Sequence, residues 1–433
     1  MRISRLPFFY GWVIVAIAFV TMGIGVNART AFSLFFPPIL AEFGWDRGVT
    51  AGAFSFGFFV AAALGPLLGR FMDRHGPRLA IELGVVITGC GLLLATLSSE
   101  PWHLYLTLGV LIGVGSMMLG YTGHSLFLPN WFVRRRGLAM SIAFSGVGIG
   151  SIVLMPALQA TIENSGWRAA CIAMGILVLV LLVPLNLLLR RRPEDLGTGP
   201  DGDKSPSAAA SGSPADNVVD RAWTEVDWTL ARALRTTRFW WIALGYACAM
   251  YAWYAVQVHQ TKYLTEIGFS GVYAGWALGF VSFVAIPGQI ALGHVSDRIG
   301  RESVWAVGCA GFLLCYATLL LMRANPHPGL LWFMVLSQGL LGYGVTSVFG
   351  AIPAEIFQGR QYGTIFGTLS TAAMAGGALG PWATGALHDA TGNYTLAFSI
   401  AMGCSLLSAF CIWRAAPRQI RAVAGRIVRR PGT

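Results

Sequence analysis

Charge is what this chain has least of: Asp, Glu, Lys and Arg together make up 11% of its 433 residues. A soluble domain carries about 25%, because a water-facing surface needs side chains that water solvates. With 55% hydrophobic residues beside that scarcity, a water-soluble globule is excluded, and a soluble enzyme with it. Acidic residues are scarcer than basic ones, 19 against 30. Metal and disulfide chemistry are equally thin. The seven cysteines (Cys90, Cys171, Cys248, Cys309, Cys315, Cys404 and Cys411) all lie in apolar stretches, and none forms a CxxC or CxxxH spacing. They read as small apolar packers, so no zinc site, cofactor or disulfide framework is implied. The net charge of +11 does not point to nucleic acid, since the arginines sit at the ends of apolar runs.

What the chain has in abundance is long apolar runs. They read at 9 to 36, 49 to 69, 79 to 98, 102 to 128, 138 to 162 and 168 to 189, then, after a polar gap, at 239 to 264, 272 to 293, 303 to 322, 330 to 353, 363 to 387 and 394 to 413. Each is long enough to cross a bilayer as a helix of about 20 residues. The expected fold is an all-α membrane protein of twelve transmembrane helices. Residues 1–190 form a first six-helix bundle, 191–238 a linker, and 239–433 a second bundle with a basic tail. The segment from Pro193 to Asn217, rich in Ser, Ala, Pro, Gly and Asp, is expected to be flexible.

An even number of spans places both termini on one side. The connections on that side hold 25 basic residues, whereas those on the other hold three: Arg47, Arg168 and Arg323. The positive-inside rule makes the first set cytoplasmic, and a bacterial-type plasma (inner) membrane is expected. The first apolar run is too long for a cleavable signal and is itself the first span.

The chain repeats itself at the loop after the second span of each half. Gly69-Arg70-Phe71-Met72-Asp73-Arg74-His75-Gly76 matches Gly293-His294-Val295-Ser296-Asp297-Arg298-Ile299-Gly300 in the pattern GxxxDRxG, 224 positions apart. A second echo pairs Pro129 to Gly137 with Pro353 to Gly363. Glycine permits close helix approach, the aspartate can accept from backbone N–H groups at a helix start, and the arginine can pair with a phosphate or carboxylate. Gly69, Asp73, Arg74 and Gly76, with Gly293, Asp297, Arg298 and Gly300, are therefore candidates for a breakable conformational latch between two pseudo-symmetric halves.

Two six-span halves with this motif in each resemble the major facilitator superfamily. Within it the chain is most similar to the monocarboxylate and oxalate/formate porter branch. The residues carrying that likeness are Tyr10-Gly11-Trp12-Val13, Phe35-Phe36-Pro37, Phe43-Gly44-Trp45-Asp46-Arg47, Trp131-Phe132 through Arg135-Arg136-Gly137-Leu138-Ala139, and Gly380-Pro381 through Asp389, Gly392 and Tyr394. The resemblance implies a carrier that rocks about a mid-membrane substrate site.

An ionisable group inside a span costs about 2.5–3.5 kcal/mol on insertion scales, so each such group asks for a reason. They are Arg29 in span one, His124 in span four, and His259, Lys262 and Glu266 in span seven. Aligning Trp12 with Trp241 carries Arg29 onto position 258, beside His259, which predicts cations from both halves at similar depth. Arg29 offers a planar fork for a carboxylate, Lys262 a mobile point charge, and His259 a group that changes protonation near neutrality. In the branch resembled, a basic residue occupies the late position of the first helix that Arg29 matches. Its usual second-half charges are missing here: Phe280 to Pro287 in span eight is uncharged, as is span eleven.

Arg29, His259, Lys262, His124 and Tyr121 are the substrate-binding candidates. Against this stand plainer alternatives: snorkelling of Arg29, an i,i+4 pair between Lys262 and Glu266, and structural packing of His259 and His124. The function expected is secondary transport of a small organic anion, a carboxylate, with or without H+. Anion antiport and export of amphipathic compounds are the alternatives. No nucleic acid or obligate protein partner is implied, only the lipid bilayer. His124-Ser125 lacks an orienting carboxylate, which argues against an embedded enzyme.

Overall fold

The computed structural model describes residues 9–45, 47–202 and 217–423, so most of the expected flexible linker and the ends of both termini lie outside the described residues. Among these residues the fold is all helical, apart from a single antiparallel bridge between Val218 and Arg421. Ten helical stretches are apolar and long enough to span. One of them, Arg136–Asn186, holds two spans, because Gly166 leaves the helical region with a φ of 83° that a side chain would disfavour. The helix Tyr362–Thr391 supplies the remaining one. Twelve transmembrane helices result.

The chain divides into two compact units, one of residues 1–132 with 142–208, the other of residues 209–433 with 133–141. Each carries six spans. In the first they are Gly11–Phe43, Arg47–His75, Pro77–Ala95, Pro101–Asn130 and the two arms of Arg136–Asn186. In the second they are Thr237–Glu266, Gly271–Ile299, Arg301–Met322, Pro328–Ile356, Tyr362–Thr391 and Thr395–Gln419.

The two units repeat each other's irregularities. A proline interrupts the second span (Pro66) and its counterpart the eighth (Pro287), and likewise the fifth (Pro156) and eleventh (Pro381). A π-helical turn, Tyr105–Leu111, occurs in the fourth span, and another, Ser337–Gly342, in the tenth. The last glycine of each GxxxDRxG motif turns the chain at positive φ, 83° at Gly76 and 108° at Gly300.

Small residues set the closest helix crossings, as expected where lipid removes most of the hydrophobic drive for association. In the first unit a Cβ on Gly150 would lie 2.2 Å from the Gly23 carbonyl oxygen, and one on Gly146 2.1 Å from that of Phe19. In the second, a Cβ on Gly376 would lie 2.0 Å from the Ala247 oxygen, and one on Gly380 2.4 Å from that of Tyr251. Paired glycines four residues apart thus bring the fifth span onto the first and the eleventh onto the seventh. Asn27 adds a polar tie in the first unit, donating from Nδ2 to the Gly23 and Val147 carbonyls at 2.7 and 2.9 Å.

Candidate functional site

Arg29 lies in the last turn of the helix Gly11–Thr30. Its guanidinium sits 3.3 Å from the centre of the Phe58 ring, on the second span of the same unit. Such a cation–π contact offsets part of the hydration that a guanidinium loses inside a span. Tyr121 is half-buried and meets Phe144 edge to face, with ring centres 5.1 Å apart. His124 is fully buried and donates from Nδ1 to the Gly120 carbonyl at 3.1 Å. Among the described residues its Nε2 has no hydrogen-bond partner.

In the second unit, His259 is bonded at both ring nitrogens. Nε2 lies 3.0 Å from the Pro381 carbonyl, which can only accept, so this nitrogen carries the proton; Nδ1 lies 3.3 Å from the Tyr394 hydroxyl. The imidazole therefore ties the seventh span to the eleventh and to the start of the twelfth. Lys262, one turn further, is largely exposed, and its Nζ lies 3.6 Å from Glu266 Oε1. His388 approaches the other carboxylate oxygen, Nε2 to Oε2, at 3.6 Å, and meets the Tyr394 ring at a tilt of 37° with ring centres 4.3 Å apart. The plainer alternatives raised by the sequence thus describe real contacts of Lys262 and His259. Neither His388 nor Tyr394 stands out as chemical in the sequence; the one usable signal is that His388 falls two turns after Pro381.

The latch candidates behave differently in the two copies of the motif. In the first, Gly69 and Gly76 are buried, Arg74 is exposed, and the Asp73 carbonyl accepts from Arg191 at 2.6 Å. In the second, Asp297 is buried and accepts from the backbone N–H groups of Gly137 and Leu138 at 2.9 and 3.1 Å. Those groups belong to the first turn of the helix beginning at Arg136, where unpaired N–H groups and the helix dipole favour an anion. Gly293 makes the approach possible, because a Cβ there would lie 1.6 Å from Ser141 Oγ and 2.7 Å from the Gly137 oxygen. Gly300 turns the chain, and Arg298 points to the exposed surface.

Two further residues complete this cluster. Arg301, 1% exposed, donates from Nη1 to Asp297 at 2.6 Å and from Nε to Glu355 Oε1 at 2.8 Å. It also donates to Ser296 Oγ at 2.6 Å. The buried guanidinium is held by two carboxylates and a hydroxyl, the condition under which burying an ion is tolerable. In sequence Arg301 reads only as one more basic residue at a span's end, and Glu355 as a carboxylate too near the end of its span to carry a proton.

The segment before the seventh span packs beside this cluster. Val219 and Asp220 donate backbone bonds to the Ile420 carbonyl, and Ala422 donates to that of Asn217. Trp223 donates from its indole to the Ile356 carbonyl at 2.8 Å, faces Trp228 with ring centres 4.5 Å apart, and lies under the Arg238 guanidinium at 4.8 Å. Burial and the neighbouring Arg136 lower the Arg421 pKa from its ordinary value, with Glu355 opposing them.

Comparison with known proteins decides what such a scaffold is. The family model of the Major Facilitator Superfamily matches residues 12–352. The chain belongs to the major facilitator superfamily. It is 28% identical over 400 residues to monocarboxylate transporter 13 of Bos taurus, covering 90% of this chain and 86% of that one. It is 27% identical over 428 residues to monocarboxylate transporter 11 of Homo sapiens, covering 95% and 84%. Its fold is similar to the E. coli fucose:proton symporter (TM-score 0.68, 15% identity, 93% of this chain and 98% of that one). It is also similar to the proton:xylose symporter XylE (TM-score 0.69, 15% identity, 94% and 95%). The protein is accordingly a multi-pass membrane transporter of the superfamily and not an enzyme. Arg29, His259, Lys262, His124 and Tyr121 all lie on its membrane spans.

Proposed function

We propose that this superfamily member is a secondary active transporter that moves a small organic anion, a monocarboxylate, together with a proton by alternating access. The observation that carries the reading is Arg29: a guanidinium within a span, stacked on Phe58 at 3.3 Å, at the position where the branch resembled has its basic residue. The curated relatives, named as monocarboxylate transporters, support the substrate class. With the eighth and eleventh spans uncharged, Lys262 is the cation proposed for the second unit, with His259 as its companion, and Tyr121 is proposed to act with Arg29 in the first. The fucose and xylose neighbours, both titled proton symporters, support proton coupling. The excess of basic residues in one set of connections supports cytoplasmic termini.

The Asp297 cluster and its partner motif around Asp73 act in this reading as the latch that opens and closes during the cycle. Uptake into proteoliposomes, scanned across lactate, pyruvate, benzoate, oxalate and the membrane-impermeant cation choline, tests the reading. Uptake of a monocarboxylate that rises with an inward proton gradient supports it. Transport of the cation with none of the acids would overturn it, and exchange that needs a second anion inside would replace symport by antiport.

A further inference from the structure

The carboxylate of Glu266 lies between two nitrogens. Oε1 faces Lys262 Nζ and Oε2 faces His388 Nε2, each at 3.6 Å. Lys262 is on the same helix four residues earlier, whereas His388 comes from the end of the eleventh span. The other groups facing His388 are Asp389 Oδ1, 3.5 Å from Nδ1, and the tilted Tyr394 ring, whose hydroxyl faces His259 Nδ1 at 3.3 Å. Arg323, at the end of the ninth span, is engaged nearby with Thr395 at 2.6 Å.

We propose that His388 is a proton-binding site that sets how strongly Glu266 neutralises Lys262, and that proton and anion are linked through this shared carboxylate. This deepens the transport reading and rests on it for the identity of the anion. Histidine is the side chain whose charge changes between pH 5 and 8. With the imidazole neutral, Lys262 is the cation paired with Glu266 among the described residues. Once His388 is protonated, the same carboxylate is divided between two cations, and the net charge of the group rises by one. The ammonium of Lys262, largely exposed, is then less neutralised and more open to a substrate carboxylate. Binding linkage is reciprocal, so in this arrangement proton and anion each favour the binding of the other. That is the coupling a proton–anion symporter requires, built on the seventh and eleventh spans in the absence of a charged eighth span. His388 does not touch the anion; it acts through Glu266 as a positioning residue.

The sequence makes a direct readout available, because Lys204 and Lys262 are its only lysines. Full-length protein in nanodiscs is labelled briefly with a neutral amine-reactive acetylating reagent between pH 5.5 and 8, and site-resolved mass spectrometry gives the ratio of Lys262 to Lys204 modification. The ratio rises about two- to fivefold as pH falls, the size expected of exposed charge pairs, and the rise shrinks in 1 M salt. It becomes flat in His388→Asn, flat and high in Glu266→Gln, and keeps its slope in His294→Asn, an exposed histidine outside the cluster. A flat ratio in the wild type, or a slope that survives in His388→Asn, overturns the proposal. A slope that His259→Asn removes while His388→Asn retains it overturns the assignment to His388. The labelling needs no substrate, so failure of monocarboxylate uptake with an intact profile would sink the transport reading and leave the proton linkage standing.

Discussion

The Asp297 carboxylate accepts the backbone N–H of Gly137 at 2.9 Å, which joins the second GxxxDRxG motif to a helix start 160 residues away in the chain. The same carboxylate holds the buried Arg301 at 2.6 Å. One side chain therefore serves as both helix cap and counter-ion, and the second role requires its charge.

Asp297→Asn keeps the size and loses the charge. Arg301 would retain Glu355 and Ser296 as partners, so the loss is that of charge-assisted hydrogen bonds, about 1.5–3 kcal/mol each. A thermal-unfolding measurement in detergent should show a large loss of stability. Asp73→Asn, at a half-buried position, should lose less. Equal losses at the two positions would contradict the asymmetry between the motif copies.

Gly293→Ala should also destabilise the protein, by roughly 1–3 kcal/mol, the usual cost of overpacking. The nearest atom met is Ser141 Oγ, but the Gly137 carbonyl oxygen stands 2.7 Å away and cannot rotate aside. Adding Ser141→Ala should therefore restore only part of the lost stability. Thermal unfolding of the single and double variants checks this, and full recovery in the double variant would show that the backbone approach is unimportant.

Trp223→Leu removes an indole N–H bond to Ile356 at 2.8 Å, a ring contact with Trp228 and the stack under Arg238. The expected loss is about 1–3 kcal/mol, read as a lower unfolding temperature. Trp223→Phe keeps a ring and should lose about half as much. A variant as stable as the wild type would mean that the segment before the seventh span is not anchored by this residue.

Much of the architecture is legible in the sequence because a span declares itself by length and apolarity alone. The Gly166 break between the fifth and sixth spans coincides with the polar gap that separates two apolar runs. The repeat, too, can be read directly, and its last glycines, Gly76 and Gly300, adopt the positive φ that explains why glycine stands there. What periodicity cannot give is a contact between remote positions. Nothing in the spacing of Asp297 and Gly137 announces their bond, and Arg301 is hidden by its resemblance to any basic residue at a membrane edge. The Lys262–Glu266 pair is readable because it obeys the i,i+4 rule. His388 joins it only through the packing of the eleventh span on the seventh.

The central claim is that Arg29 recognises a carboxylate, and uptake by Arg29 variants tests it most directly. A charge-assisted bond contributes about 1.5–3 kcal/mol, so Arg29→Ala in proteoliposomes should lower the apparent affinity for the transported monocarboxylate at least tenfold. Arg29→Lys, which keeps the charge but not the planar fork, should fall between the two. Wild-type affinity in Arg29→Ala, in protein shown to be folded, would contradict the account.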